Sequence, residues 1–425
     1  MSRAPRPLPI AGQPAPSPKP TPRGPGRAGP PLLAGIAVLV QDVDALGGSE
    51  RQARLLAEEL TVQGERVCLL STNGQGPLGR PRGAWRERRK GVATYRLPLL
   101  GFEAAAGALL ARERPEVLYA VGLMLGAFAG RLGRLLDAPV VVKLACSGPW
   151  GDVAALDALP PGTRAAVLAD LADATVICLS EDLAREADAA GLGRARVLLP
   201  NGVPPPPPGA PVRPAGPGVP TVLFVGRLDR QKGVDVLLEA FARCQGGAHL
   251  LLAGEGPERA ALEAQAARLG LAERVTFLGR RADVWGLLRG ATVCCLPSRS
   301  EGISNALLEA LAAGVPVVVS GIPANVEVVG ADEAAGLIAA PEDPADLARA
   351  LSRALGDEAL RARLSAAALA RVEERYALEA VARAHRELFA GLPRPPRPSL
   401  ARVAPRFLRA RAASLARALG RVRRS

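Results

Sequence analysis

From Ala34 to about residue 199, short apolar runs alternate with longer segments whose apolar positions recur every three or four residues. The runs at 35–41, 66–71, 116–121, 139–144, 174–179 and 195–199 are almost continuous in Val, Leu and Ile, which predicts buried strands. The segments 49–63, 124–136 and 181–190 carry helical spacing. Strands that do not alternate with polar residues belong to parallel sheets covered on both faces. The rhythm stops at Pro204–Pro208 and resumes at Thr221. Strands then follow at 220–225, 248–253, 274–278, 291–296 and 315–319, with helices at 233–245, 257–269, 281–288 and 304–313 and helical stretches at 344–355 and 357–390. A proline run stiffens a connection, so it marks a boundary. The predicted fold class is α/β, with two doubly wound domains facing across a cleft. The expected limits are a first domain at 34–203, a linker at 204–219, a second domain at 220–372 and a crossover helix at 373–392. Pro- and Arg-rich tails lie at 1–33 and 393–425. In open sheets of this kind, ligands bind at the carboxyl ends of the strands.

Charge and cysteine content change this picture little. The formal charge is +13 over 425 residues, but residues 1–30 and 391–425 hold fifteen basic residues and no acid. The folded middle is therefore slightly acidic, and no specific nucleic-acid partner is expected of it. Aromatics at 3% are too few for base-stacking platforms. Six cysteines without C-x-x-C spacing, in a chain with two histidines, make a zinc site improbable and read as buried thiols of a cytoplasmic protein. The longest apolar run, 117–130, is too short to span a bilayer.

The most informative stretch is Pro297–Val319, P-S-R-S-E-G-I-S-N-A-L-L-E-A-L-A-A-G-V-P-V-V-V. A strand ends before it, a helix opens at about Ser304, and Gly314 followed by Pro316 closes that helix. Glu301 lies in the loop and Glu309 on the inward face of the helix. The unpaired amides of a helix N-terminus attract phosphate, and a carboxylate accepts hydrogen bonds from vicinal hydroxyls. A second stretch, T-V-L-F-V-G-R-L-D-R-Q-K-G-V-D-V-L-L-E-A-F, places Arg227 and Lys232 at a strand's carboxyl end, a pair suited to a diphosphate. Taken alone, that pair also fits a solvated basic turn.

Together with the G-E-G-P loop at 254–257, these motifs resemble the retaining family 4 glycosyltransferases of GT-B fold, whose two domains are Rossmann-like. The resemblance is dense over 220–330. It implies transfer of a sugar from a UDP- or GDP-sugar to a glycan or lipid-linked acceptor, as in cell-surface polysaccharide or glycolipid synthesis. Glu301, Arg227 and Lys232 would form the catalytic set, with the two cations on the diphosphate and Glu301 on the sugar. Glu309 would take the ribose hydroxyls. Gly302, Ile303, Ser304 and Asn305 would offer backbone amides, and Gly254 and Gly256 would flank the base. In the first domain, Gly47 and Gly48 of G-G-S-E would approach the donor, with Ser49 as helix cap. No metal and no cofactor is implied, since the cations and the helix N-terminus supply the positive potential. Other GT-B chemistry, such as a phosphorylase or a nucleotide-sugar epimerase, fits the same motifs. A non-enzymatic basic binder of membranes or nucleic acid is a further alternative.

Many family members have a histidine after the strand matching 139–144. Here the sequence reads V-V-V-K-L-A-C-S-G-P-W-G-D, leaving Lys143, Ser147 and Asp152 as acceptor-side candidates. P-N-G-V at 200–203 looks family-like, although an Asn-Gly turn explains it equally. G-Q-G-P-L-G at 74–79 imitates a dinucleotide loop, but Pro77 and Pro81 forbid the helix that loop requires. The basic cluster Arg80, Arg82, Arg86, Arg88, Arg89 and Lys90 reads as a solvated loop or as an anionic membrane contact on the inner face of the membrane. Residues 400–422 have helical spacing with arginines opposite an apolar stripe, which suits an anionic interface. A solvated Arg- and Ala-rich tail fits that composition as well.

Overall fold

The computed structural model describes residues 35–43, 47–72, 86–97, 102–244 and 246–394. Residues 1–33 and 395–425 of the tails, the 74–79 motif, Arg80, Arg82 and the 400–422 spacing lie outside the described residues. The expected two-domain α/β architecture is present, as two sheets with helices on both faces.

The first sheet is built from β1 (Ile36–Val40), β2 (Val67–Thr72), β3 (Arg86–Arg89), β4 (Val92–Leu97), β5 (Val117–Val121), β6 (Val140–Lys143), β7 (Thr175–Cys178) and β8 (Ala195–Leu198). Its order is β3-β4-β2-β1-β5-β6-β7-β8, parallel except for β3. The second sheet holds β9 (Thr221–Val225), β10 (His249–Ala253), β11 (Val275–Gly279), β12 (Val293–Leu296), β13 (Val317–Ser320) and β14 (Leu337–Ala339). It runs β11-β10-β9-β12-β13-β14, all parallel. In each sheet the order reverses beside the first strand, β1 or β9, so a crevice opens at the carboxyl ends there. The central strands β1, β2, β6, β12 and β13 are buried along their whole length, as their unbroken apolar runs require.

Three expectations need correction. The basic cluster is not a loop where it is described, because Arg86–Arg89 pairs antiparallel with β4 to form the edge of the first sheet. The four residues R-E-R-R show no apolar alternation, since edge strands are commonly charged to block further pairing. The helical stretch 357–390 is likewise not continuous. A helix at Glu358–Arg371 passes through a π turn at Val372–Tyr376, and a new helix runs from Leu378 to Gly391. The break lies where the chain returns to the first domain. There the amide of Val203 donates to Tyr376 (2.8 Å) and that of Leu378 donates to Val203 (3.0 Å). The last correction concerns Ser49, which does not cap its helix. The cap position of Gly48–Val62 is Gly47, with no side-chain bond.

The Leu378–Gly391 helix packs on Gly48–Val62, with Gln63 donating to the carbonyl of Glu379 (3.0 Å). His385 is buried within it, donates from Nδ1 to the carbonyl of Val381 (2.8 Å) and meets Tyr119 edge-on; burial holds its pKa down at about 3. The proline linker lies along the Val284–Gly290 helix, where the Val212 amide donates to Gly286 (2.8 Å) and Arg289 donates to Pro207 (2.9 Å). No helix among the described residues is long and apolar enough to cross a membrane. Five of the six cysteines are buried, whereas Cys146 is partly exposed and lies 3.2 Å from Ser300 Oγ.

Candidate functional site

The site forms where β9 and β12 end. After β9 the chain turns through Arg227 and Asp229, makes one 3-10 turn at Arg230–Lys232, and enters the next helix at Gly233. Gly233 has φ +66°, and a methyl there would strike the carbonyl of Pro297, so this position requires glycine twice over. The turn is fixed from both sides. The Asp229 carboxylate accepts from the Lys232 amide (3.3 Å), and Gln231 donates to the carbonyl of Ser300 (2.9 Å). Arg299 locks the adjoining loop with a two-pronged contact to Asp235 (2.9 and 2.8 Å), a bond to the Arg230 carbonyl (2.6 Å) and a contact to Glu342 (3.1 Å).

These constraints bring Lys232 Nζ within 2.7 Å of Glu301 Oε1, which also accepts from Ser298 Oγ (2.9 Å). Glu301 is buried. Arg227 is placed differently: its side chain is 69% exposed and its partner is Asp229 (3.2 Å). Lys232 is thus built into the site, while Arg227 reaches over its rim. Ser304 makes no side-chain cap on the Asn305–Ala312 helix, so the first-turn amides have no partner from their own helix. Glu309, on that helix, is buried and pairs with Arg51 of the first domain. Burial pushes the Glu309 carboxyl up, and Arg51 offsets part of that rise.

Gly254 and Gly256 do immediate structural work. Methyl groups there would run into the carbonyls of Gly226 and Leu228, so the G-E-G-P loop can lie flat on the V-G-R-L segment. Bonds from Gly226 N to Ala253 O (3.1 Å) and Leu228 N to Glu255 O (3.0 Å) hold it there. This places 254–257 beside Arg227.

The two domains meet across the crevice. Gly302 lies so close to the first domain that a methyl group would strike the carbonyl of Ala145. Ser147 Oγ donates to the carbonyl of Glu301 (3.0 Å). Asn305 Nδ2 donates to the carbonyl of Gly48 (2.9 Å), and Gly47 is the residue just before it. Asn201, from the P-N-G-V turn, donates to Ile303 O (3.2 Å) and Asn305 Oδ1 (3.0 Å).

The acceptor-side candidates have other work. Lys143 is buried, and its Nζ donates to Asn201 Oδ1 (2.6 Å). Ser147 is buried against the second domain. Asp152 accepts from the amides of Leu123 (3.2 Å), Ala145 (2.7 Å) and Cys146 (3.4 Å), tying the loop after β6 to the helix after β5. As placed, each of the three already has partners within the protein. Sequence reasoning missed Arg51 as a site residue and the buttress formed by Gln231, Ser298 and Arg299. It noted Asn201 without a partner. An arginine one helical turn beyond a Gly-Gly loop is the sequence signal that could have pointed to Arg51.

Burial lowers the Lys143 pKa to about 7. Below that value both folded and unfolded chains carry the proton. Between about 7 and the ordinary lysine value near 10.4 the unfolded chain binds more protons, so stability rises with pH. Denaturant titrations of wild type and Lys143→Met should therefore diverge in favour of wild type by ~1.5 kcal/mol between pH 7 and pH 8.5. A difference that stays constant over this range would show that Lys143 does not titrate there.

Two doubly wound sheets with their carboxyl ends facing one crevice define the GT-B architecture. The model for "Glycosyl transferase 4-like domain" matches residues 47–202, and that for "Glycosyl transferases group 1" matches residues 212–371. Between them they take in most of the chain, which belongs to the family 4-like glycosyltransferases of GT-B fold. It is 34% identical over 178 residues to the lipopolysaccharide core biosynthesis mannosyltransferase LpsB of Rhizobium meliloti, covering 40% of this chain and 51% of LpsB. It is 39% identical over 200 residues to the phosphatidyl-myo-inositol mannosyltransferase of Mycobacterium leprae, covering 44% of this chain and 51% of that protein. The chain thus spans about half the length of these curated relatives. Among solved structures, sucrose-phosphate synthase from Thermosynechococcus elongatus superposes with a TM-score of 0.71 at 25% identity, covering 84% of this chain and all of that one.

Proposed function

We propose that this chain transfers a sugar from a nucleotide-diphosphate sugar, UDP- or GDP-linked, to a glycan or lipid-linked acceptor with retention of configuration. The observation that carries the reading is the run of groups on one wall of the crevice: the Lys232–Glu301 pair, then the uncapped start of the Asn305–Ala312 helix, with buried Glu309 on that helix. Cation, amide and carboxylate there match diphosphate, sugar and ribose in turn. Lys232 and Arg227 would neutralise the leaving diphosphate, Glu301 would hold the transferred sugar, and Glu309 would hold the ribose. In the retaining step the bond from C1 to the phosphate oxygen breaks. The acceptor oxygen bonds to C1 on the same face, and its proton passes to the departing diphosphate. The protein supplies orientation and charge, so no protein nucleophile or added metal enters this scheme. The basic edge strand, with Arg86, Arg88 and Arg89 exposed, supports an acceptor presented on an anionic lipid surface.

A panel of UDP, GDP and ADP tests the reading by thermal shift. One of them should stabilise the wild type, by ligand linkage. For that nucleotide, Glu309→Ala is expected to raise Kd on the order of 10- to 100-fold, the loss of hydrogen bonds from hydroxyls to a charged carboxylate. An unchanged Kd would remove Glu309 from the donor site.

A further inference from the structure

The pairing of Arg51 with Glu309 crosses the crevice: the arginine belongs to the first domain and the glutamate to the second. Glu309 is 5% exposed, a depth at which a lone carboxylate is costly, and Arg51 Nη1 bonds to its Oε1. The Glu309 carboxylate has no other hydrogen-bond partner among the described residues. The Arg51 side chain keeps about a third of its surface in solvent (36%). It can therefore leave without unpacking a core. Arg51 also stands one helical turn beyond Gly48, whose carbonyl accepts from Asn305 at the amino end of the Asn305–Ala312 helix. The guanidinium thus sits on the same rim as the amides of that helix.

Resting on the donor-site reading above, we propose that Arg51 senses the donor by exchanging partners. It holds Glu309 while the crevice has no nucleotide, and it passes to the diphosphate when the ribose hydroxyls take Glu309. A guanidinium and a ribose diol compete for the same carboxylate oxygens. The planar fork that fits a carboxylate also fits a phosphate. After the exchange Glu309 accepts from neutral hydroxyls and Arg51 faces the anion, so neither charge is left alone. Because Arg51 comes from the first domain, the exchange couples donor occupancy to the contact between domains.

The exchange separates the nucleoside from its diphosphate. Whichever of UDP, GDP or ADP binds wild type is titrated by calorimetry alongside its free nucleoside, into wild type and Arg51→Met. Removing the competitor should tighten nucleoside binding at least threefold. Removing the phosphate contact should weaken diphosphate binding about tenfold. Arg51→Lys, which keeps the charge and loses the fork, should move both affinities in the same directions by less; it carries the test if the methionine variant does not fold. If both ligands weaken together, or neither changes, while wild type binds the diphosphate, Arg51 is a static support and the exchange is wrong. If no diphosphate binds wild type, the donor reading falls and the exchange falls with it.

Discussion

Replacing Lys232 with alanine is expected to lower kcat/KM for glycosyl transfer by about 10²- to 10³-fold, the range seen when a pre-placed charge is removed from a developing anion. Lys232 Nζ is 2.7 Å from Glu301 Oε1, held by the Asp229 and Gln231 contacts, so in the proposed reaction it would be in place before a leaving diphosphate accumulates charge. Arg227 is 69% exposed and paired with Asp229, and its removal should cost less. The Lys232 variant should also be less stable. Glu301 would keep Ser298 as a partner but lose its cation, a change on the order of 2–3 kcal/mol for a buried carboxylate. A second substitution, Glu301→Gln, separates the two effects. The double variant Lys232→Ala/Glu301→Gln should recover most of the stability and none of the activity. Activity near wild type in the single variant, measured with an established donor, would take Lys232 out of the reaction.

Gly302→Ala should leave both domains folded and hold the crevice open. A methyl on Gly302 runs into the backbone carbonyl of Ala145, which cannot swing aside as a side chain would. The simplest relief is separation of the two domains. That movement carries Ser147 off the Glu301 carbonyl and Asn305 off Gly48, so the first domain no longer closes the site. A misplacement of about 1 Å costs on the order of 10²-fold in rate, and kcat is expected to fall by at least that much. Donor contacts made within the second domain alone are untouched. Nucleotide affinity should therefore fall far less than kcat, and small-angle scattering should report a larger radius of gyration. Equal losses in affinity and rate, with no change in size, would place the clash inside one domain.

Much of the fold was legible because its strands are buried on both faces and so read as plain Val, Leu and Ile runs. The parts that escaped obey other rules. Arg86–Arg89 is a strand because β4 pairs with it, and its own residues are those of an exposed edge. Helical spacing continues through 372–377, yet the helix stops because the backbone there bonds to Val203, a partner more than 170 residues away. The same limit applies to the site. Glu301, Lys232 and Glu309 stand out as charged residues at strand ends and on a helix, and their order along the chain suggests one volume. That Glu309 would face Arg51 depends on how two domains meet, which no local pattern encodes. Lys143, Ser147 and Asp152 followed the right strand into the crevice, but the pattern could not show that backbone amides, Asn201 and a facing carbonyl would occupy them.

The bonds among Val203, Tyr376 and Leu378 carry a mechanical consequence. The chain passes between the domains twice, once through the proline linker and once on its return before the last helix. Two unconnected straps would let the sheets twist and slide past each other as well as part. Here the straps are stitched together at Val203, where the linker begins, which gives the two leaves one shared pin. Residues bonded across the crevice, Ser147 to Glu301 and Arg51 to Glu309, then act as the catch on that door. On the exchange proposed above, a ligand that releases the catch would change the angle between the leaves more than their alignment.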